Sequence, residues 1–363
     1  MQKVYINVSI YESMAQATLS KPAITVLQCG GTLEASNEDG KPLNHEAKER
    51  NYFNRVSRLL ERYDINPVRV GRLDSTDITY EHRALMAKTI YDNYERADGF
   101  VVVHGTDTMA ETAAALNYML QGIGKPVILT GSQVSIYKPG TDAINNLHCA
   151  VQSASSDLGE IAIMFDNLLL RGSRAVKVDA CGFHGFDTPR TQPLGERRVN
   201  RVGELEVVLA NNYARRSNEN TPELFTDFHT LVETYQQTSG SESNGLMHLV
   251  ESEDVHGIVL AGFGTGNVQS RLIPVLRYCA EKHKPVVVVS SCLRGASIDL
   301  YEVGCAAFNA GAISGLDLTR EAATQKLMYA LGLHRTLRGR DVGGRIDFVK
   351  RIIQTPIGCD ISN

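Results

Sequence analysis

Eleven residues, Val103-His-Gly-Thr-Asp-Thr-Met-Ala-Glu-Thr-Ala113, restrict the fold more than any other stretch of this chain. Gly99 to His104 holds a continuous β-branched run, Val101 to Val103, as expected of a central parallel strand covered on both faces. Thr108-Met-Ala-Glu111 then matches a capping box, with Thr108 serving the N3 amide and Glu111 reaching back. It predicts an alanine-rich helix to about Leu120, stopped by Gly122 and Gly124. A strand whose carboxyl end feeds a capped helix is the unit of open α/β sheets, and ligands bind at that end. Helix punctuation explains Thr108 and Glu111. It does not require Thr106 and Asp107, a hydroxyl and a carboxylate at the positive end of a helix dipole. Those two therefore read as functional.

Other strand ends repeat the theme. Ala23 to Leu27 is a short buried strand ending in Gln28-Cys-Gly-Gly-Thr-Leu33. Paired glycines there mean positive φ or close backbone approach, and Thr32 follows them directly. Glu34 to Asn51 is polar and aperiodic, of a length that often forms a lid. Pro67 to Gly71 is a second strand. After it, Asp74-Ser-Thr-Asp-Ile78 either caps a helix over Tyr80 to Ala97 or hydrogen-bonds a ligand, and the pattern favours capping. Pro126 to Thr130 is a strand ending at Gly131-Ser-Gln133, a helix starts near Asp142, and Glu160 to Phe165 is another strand. Arg171 to Lys177 is a basic, half-alternating strand in which Lys177 would ordinarily be exposed.

From about Thr191 the chain turns polar, with a further strand at Glu204 to Leu209, and Asn211 to Pro222 carries four asparagines. A smaller α/β unit follows, with strands Ile258 to Ala261 and Pro285 to Ser290. A glycine-rich turn runs from Gly262 to Asn267, and Thr319 caps a helix over Arg320 to Leu331. The expected architecture is a two-domain α/β protein. Residues 1–210 form a larger, mostly parallel N-terminal catalytic domain with a lid at 34–51. A linker covers 211–226, and a smaller C-terminal α/β domain covers 227–363.

Composition excludes several classes. Among 363 residues the net charge is -4, without a sustained basic run, which argues against nucleic acid and anionic membranes as partners. Met1 to Ser20 has no apolar core of a signal peptide, and no stretch is long and apolar enough to span a bilayer. The cysteines (Cys29, Cys149, Cys181, Cys279, Cys292, Cys305 and Cys359) are odd in number and form no C-x-x-C pair. They suit a reducing, cytoplasmic compartment.

There is no P-loop, no G-x-S-x-G elbow, no H-E-x-x-H and no paired-cysteine zinc pattern. Gly262-Phe-Gly-Thr-Gly lacks the last glycine of a dinucleotide fingerprint. No cofactor or metal is expected. The histidines are dispersed, and His104 reads as a hydrogen-bonded core residue. What remains is a set of strand ends with threonines, aspartates and glycines, plus a lysine able to join them in space. A hydroxyl nucleophile activated by a lysine–carboxylate pair is the natural proposal.

Two signatures carry a family resemblance: Cys29-Gly-Gly-Thr-Leu33 and His104-Gly-Thr-Asp-Thr-Met109. Through them the chain resembles the bacterial-type L-asparaginases, most closely their cytosolic type I branch. The likeness continues through Gly124 to Gln133, Arg171 to Lys177, Gly264 to Asn267 and Gly315 to Thr319. It implies hydrolysis of L-asparagine to L-aspartate and ammonia through an acyl-enzyme. By position, the resemblance makes Thr32 the nucleophile and Thr106 the second catalytic threonine, with Asp107 and Lys177 paired to it. It places Gly31, Asp74, Ser75, Thr76, Gly105 and Ser132 around the substrate, with Asp107 also at its α-amino group. Asn267 would come from a neighbouring subunit, which implies a homodimer or homotetramer.

The chain departs from the family in four places. Cys29 replaces the first threonine of T-G-G-T, and Lys41 follows Gly40 where relatives carry the lid tyrosine. Gly140-Thr-Asp-Ala143 replaces R-S-D-G but keeps Asp142, and a polar insertion spans Gln236 to Asn244. Two alternatives therefore stand beside asparagine hydrolysis: action on another amide, such as glutamine or a larger conjugate, and binding of asparagine or aspartate with weak catalysis.

Overall fold

The computed structural model describes residues 21–35, 52–219, 221–242, 244–295 and 302–362. Of the expected lid at 34–51, residues 36–51, with Gly40 and Lys41, lie outside the described residues.

Taken in chain order, the first half lays down a sheet with helices between its strands. Strand β1 (Ala23–Gly30) leads to β2 (Asp64–Leu73), helix α1 (Tyr80–Asp92), β3 (Gly99–Val103) and α2 (Met109–Met119). The short β4 (Leu120–Gln121), β5 (Val127–Thr130), α3 (Ala143–Ala154), β6 (Ile161–Phe165) and β7 (Leu168–Arg171) follow. A two-residue hairpin ladder, β8 (Val176–Lys177) with β9 (Phe186–Asp187), precedes the longer hairpin of β10 (Gly195–Val199) and β11 (Leu205–Leu209). The eight-stranded sheet runs β11-β10-β7-β6-β5-β3-β1-β2. From β6 to β2 every pairing is parallel, whereas β7, β10 and β11 add antiparallel. Every residue of β3 and β6 is buried, which is why these strands are unbroken apolar runs rather than alternating ones.

After β12 (Glu223–Leu224), which pairs back onto β4, the second half builds a smaller parallel sheet. Its strands are β13 (Val232–Gln236), β14 (Gly257–Gly262), β15 (Val286–Ser290) and β16 (Ile313–Ser314), in that spatial order. The longer helices here are α4 (Ile273–Glu281), α5 (Glu302–Asn309), α6 (Arg320–Arg338) and α7 (Arg345–Ile353). Thr319 caps α6, its hydroxyl accepting from Ala322 N at 3.1 Å.

The two sheets are welded rather than hinged. One apolar cluster contains Ala113, Leu116 and Tyr118 of α2 together with Ala323, Leu327 and Ala330 of α6. The C-terminal tail crosses the same seam. Asp360, fully buried, pairs with Lys326 of α6 at 2.6 Å and accepts from Tyr118 Oη of α2 at 2.9 Å. No described helix is long and apolar enough to cross a membrane.

Three expectations are corrected. The Thr108–Glu111 capping box does not form: Thr108 Oγ1 donates to Ser75 O at 2.7 Å, and Glu111 pairs with Arg83 at 3.1 Å. Tertiary partners for both side chains outcompete the local cap. Asp74 does not cap α1. It closes a 3₁₀ turn over Ser75–Asp77, accepting from Thr76 N, while Thr79 N, at the start of α1, donates to His82 Nδ1. Finally, Arg171 to Lys177 is no continuous strand. A 3₁₀ turn, Gly172–Arg174, buries Arg174 and separates β7 from β8.

Candidate active site

The strand order itself selects one crevice. From β1 the chain passes outward to β2, then returns to place β3 on the other side of β1. Loops leaving the carboxyl ends of β1 and β3 therefore diverge, opening the cleft where doubly wound sheets bind ligands. Both signature segments leave from this point, since Gln28 of β1 is in register with Val103 of β3.

The glycines bring the two loops into backbone contact. Gly31 has φ +84°, and a Cβ there would sit 2.5 Å from Gly105 N. Only a residue without a side chain allows that approach. Thr32 and Thr106 are the next residue on each loop, so the two threonines flank this backbone contact. The third wall comes from the β2 end. Ser75, almost wholly buried, packs against Gly105, and its Oγ accepts from Asp107 N at 3.1 Å. That bond leaves the hydroxyl proton of Ser75 free to donate. Thr76 Oγ1 donates to Asp74 at 3.0 Å, which commits its proton and leaves the oxygen able to act as an acceptor.

Lys177 reaches in from the β8–β9 hairpin. Its Nζ donates to Thr106 Oγ1 at 2.8 Å and to Asp107 Oδ1 at 2.6 Å. Its side chain is 20% exposed, against 56% for Asp107, so the lysine head is sheltered while the carboxylate still meets solvent. The expectation of an exposed strand lysine is thus corrected. The signal was absent from periodicity because a two-residue ladder has none.

Surrounding groups hold this geometry. His104 is fully buried, and its Nδ1 donates to Gly105 O at 2.6 Å. Burial lowers its pKa to about 4, so the ring is neutral and structural, with Nε2 left without a partner among the described residues. Ser132, also buried and unpartnered at Oγ, follows Gly131, whose missing Cβ lets it lie against His104 O. Asp142 fixes the same loop by accepting from Gln133 N and Val134 N at 3.0 Å each. Beyond Thr32, Glu34 pairs with Arg69; burial raises the Glu34 pKa, with Arg69 opposing. Tyr52 is buried beside this pair, and burial followed by the Glu34 charge pushes its phenol well above the usual value.

One candidate stands apart. Asn267 lies in the turn after β14, its N–H donating to Phe263 O and its O accepting from Gln237. Its Oδ1 is buried without a partner among the described residues, and no hydrogen bond there joins it to the β1–β3 crevice. Sequence pattern singled out neither Arg174 nor Arg190, two arginines flanking the β8–β9 hairpin that hydrogen-bond to the C-terminal half of the chain. Nothing in local pattern distinguishes Arg190 from a loop arginine. Among the described residues no group of three or more His, Cys, Asp or Glu side chains is placed to hold a metal ion.

Comparison with known proteins covers both sheets. Residues 23–207 match the family described as Asparaginase, N-terminal, and residues 231–339 match the Glutaminase/Asparaginase C-terminal domain. The chain is 36% identical over 263 residues to the human 60 kDa lysophospholipase, covering 71% of this chain and 45% of that relative, under half its length. It is 34% identical over 272 residues to L-asparaginase 1 of Escherichia coli (strain K12), covering 71% of this chain and 76% of that one. The solved thermostable L-asparaginase from Thermococcus kodakarensis superposes with a TM-score of 0.79 at 27% identity, covering 94% of this chain and 99% of the other. In sequence across both domains, and in fold over nearly its whole length, this chain belongs to the asparaginase family.

Proposed function

We propose that the protein is an amidohydrolase that converts L-asparagine to L-aspartate and ammonia, with Thr32 as nucleophile. The observation that carries this reading is Lys177 bonded at once to Thr106 and Asp107, on the loop whose Gly105 touches Gly31 beside Thr32. An amide is a weak electrophile with a poor leaving group, so cleavage needs an activated hydroxyl and controlled proton transfer. Thr32 Oγ adds to the side-chain carbonyl carbon as its proton passes to the enzyme. The nitrogen takes up a proton, the C–N bond breaks and ammonia leaves, forming an acyl-enzyme ester. Water activated at Thr106 and Lys177 then adds to the ester, releasing aspartate and restoring Thr32.

The same walls suit an amino-acid substrate. The half-exposed Asp107 carboxylate can accept from an α-ammonium group, and the Thr76 oxygen adds a second acceptor. Ser75 Oγ, which accepts from Asp107 N, can donate its hydroxyl proton to an α-carboxylate. Gly31, Gly105, Asp74 and Ser132 shape this recess, and Asn267 of a second copy completes it in a homodimer or homotetramer. The seven free thiols suit a reducing, cytoplasmic setting.

Lys41, which replaces the lid tyrosine of relatives, favours a second reading in which a larger or more acidic amide is the better substrate. Ammonia release from asparagine, glutamine and a panel of amides, beside Thr32→Ala and Lys41→Tyr, tests both. Turnover of asparagine that Thr32→Ala lowers by a factor on the order of 10³ or more supports the proposal. Full activity in that variant rejects Thr32 as nucleophile. Preference for a different amide, lost with Lys41→Tyr, selects the second reading.

A further inference from the structure

Lys177 sits on a hairpin of two-residue strands, too short a ladder to hold a lysine head within hydrogen-bond range of two partners. Between this hairpin and the C-terminal sheet lies a crevice of about 160 Å³ lined in part by Lys177, Arg190, Ser290, Cys292 and Thr319. Side-chain packing therefore does not fill the gap. Two arginines bridge the hairpin to the C-terminal domain.

Arg174 enters the hairpin three residues before Lys177 and is nearly fully buried. Its guanidinium donates to Asp317 O at 3.0 Å, pairs with Asp317 Oδ2 at 2.8 Å and donates to Ser362 Oγ at 2.9 Å. Asp317 in turn accepts from Ser362 N at 3.0 Å, so the C-terminal tail closes the clamp. Arg190 leaves the hairpin three residues after Asp187, which is in register with Val176. It donates to Leu318 O, to Ser290 O at 3.1 Å, to Cys292 O at 2.7 Å and to Leu293 O at 3.3 Å. Four carbonyls from two turns of the C-terminal sheet thus converge on one planar fork, a geometry that a lysine cannot reproduce.

We propose that Arg174 and Arg190 are positioning residues for Lys177, tethering both arms of its hairpin to the carboxyl ends of the C-terminal sheet. The C-terminal domain then sets the reach of Lys177 toward Thr106 and Asp107. As a claim about catalysis, this rests on the reading of Lys177 given above. Misplacing a catalytic group by about 1 Å costs up to roughly a hundredfold in rate, with binding little affected where the lysine acts in the chemical step.

The test compares Arg190→Met, Arg190→Lys and Arg174→Met with the wild type in the full chain. Steady-state kinetics are run alongside acylation of Lys177 by acetic anhydride, read residue by residue by mass spectrometry. The expected result is a fall in kcat of roughly ten- to a hundredfold with KM nearly unchanged, and only partial recovery with Arg190→Lys. Lys177 should also acylate several-fold faster once it leaves Thr106 and Asp107, while lysines elsewhere keep their rates. Unchanged acylation of Lys177 in the folded Arg190→Met and Arg174→Met proteins overturns the proposal, whatever happens to kcat. If either methionine variant fails to fold, Ser362→Ala, which trims one bond of the Arg174 clamp, is read the same way. An inactive wild type defeats the catalytic reading alone, because the acylation arm still reports on the tether.

Discussion

At the scale of single residues, the site separates reactive from structural groups by exposure and partners. Lys177 has two acceptors and a sheltered head, so replacing it with methionine removes both the amine and the lock on Thr106. Lys177→Met should lower kcat by about 10²- to 10⁴-fold, measured as ammonia release at saturating substrate. His104 belongs to the structural class, and its effect is on stability. In the unfolded chain it takes up a proton below the ordinary 6.5, whereas the buried ring refuses one until about pH 4. Its contribution is therefore complete above pH 6.5 and is lost as pH falls toward 4, by on the order of 3 kcal/mol. Urea unfolding at pH 7 and pH 4.5 should show this loss in the wild type and a smaller one in His104→Gln. An equal pH dependence in both would assign the loss to other groups, among them His229, whose pKa burial and His256 also lower to about 4.

At the scale of elements, the β3–α2 unit was legible because burial on both faces writes an unbroken β-branched run and alanine writes a helix. Its ends were less so. Thr108 and Glu111 spell a capping box, yet each finds a partner on another element, Ser75 O and Arg83. Local hydrogen-bonding preference is worth about 1 kcal/mol and yields to such contacts. The contact between the β1 and β3 turns gives a sharper prediction. Gly31→Ala adds a Cβ that meets Gly105 backbone at 2.5 Å, at a φ of +84°. It should destabilise the protein by at least the 1–3 kcal/mol typical of such strain, and lower kcat as the two threonine loops part. Denaturant midpoint and kcat measured together check both halves. The β8–β9 hairpin was invisible for the opposite reason, since nothing within it specifies its place.

At the scale of the whole molecule, α2 and α6 share one core and the C-terminal tail crosses between them through Lys326, Asp360 and Tyr118. The domains should unfold together, as a single calorimetric transition, because the apolar cluster that joins α2 to α6 runs through both, beside the separate cluster each half also has. Two well-resolved transitions would contradict that. The proposed contribution of Asn267 from a second copy adds a concentration dependence. Specific activity should fall on dilution in step with dissociation seen by sedimentation, and Asn267→Ala should raise KM more than it lowers kcat.

What the sequence determined by itself was the α/β class, the order of its main strands along the chain and the candidate residues at their ends. Those depend on short-range periodicity and on residue chemistry, which neighbouring positions display. Tertiary structure alone decided which loops touch. The β1–β3 switch point, the Ser75 hydroxyl under Asp107 and the two arginine tethers behind Lys177 join residues between about thirty and nearly two hundred positions apart. Contacts of that separation are chosen by the packing of whole sheets, and no local pattern records them.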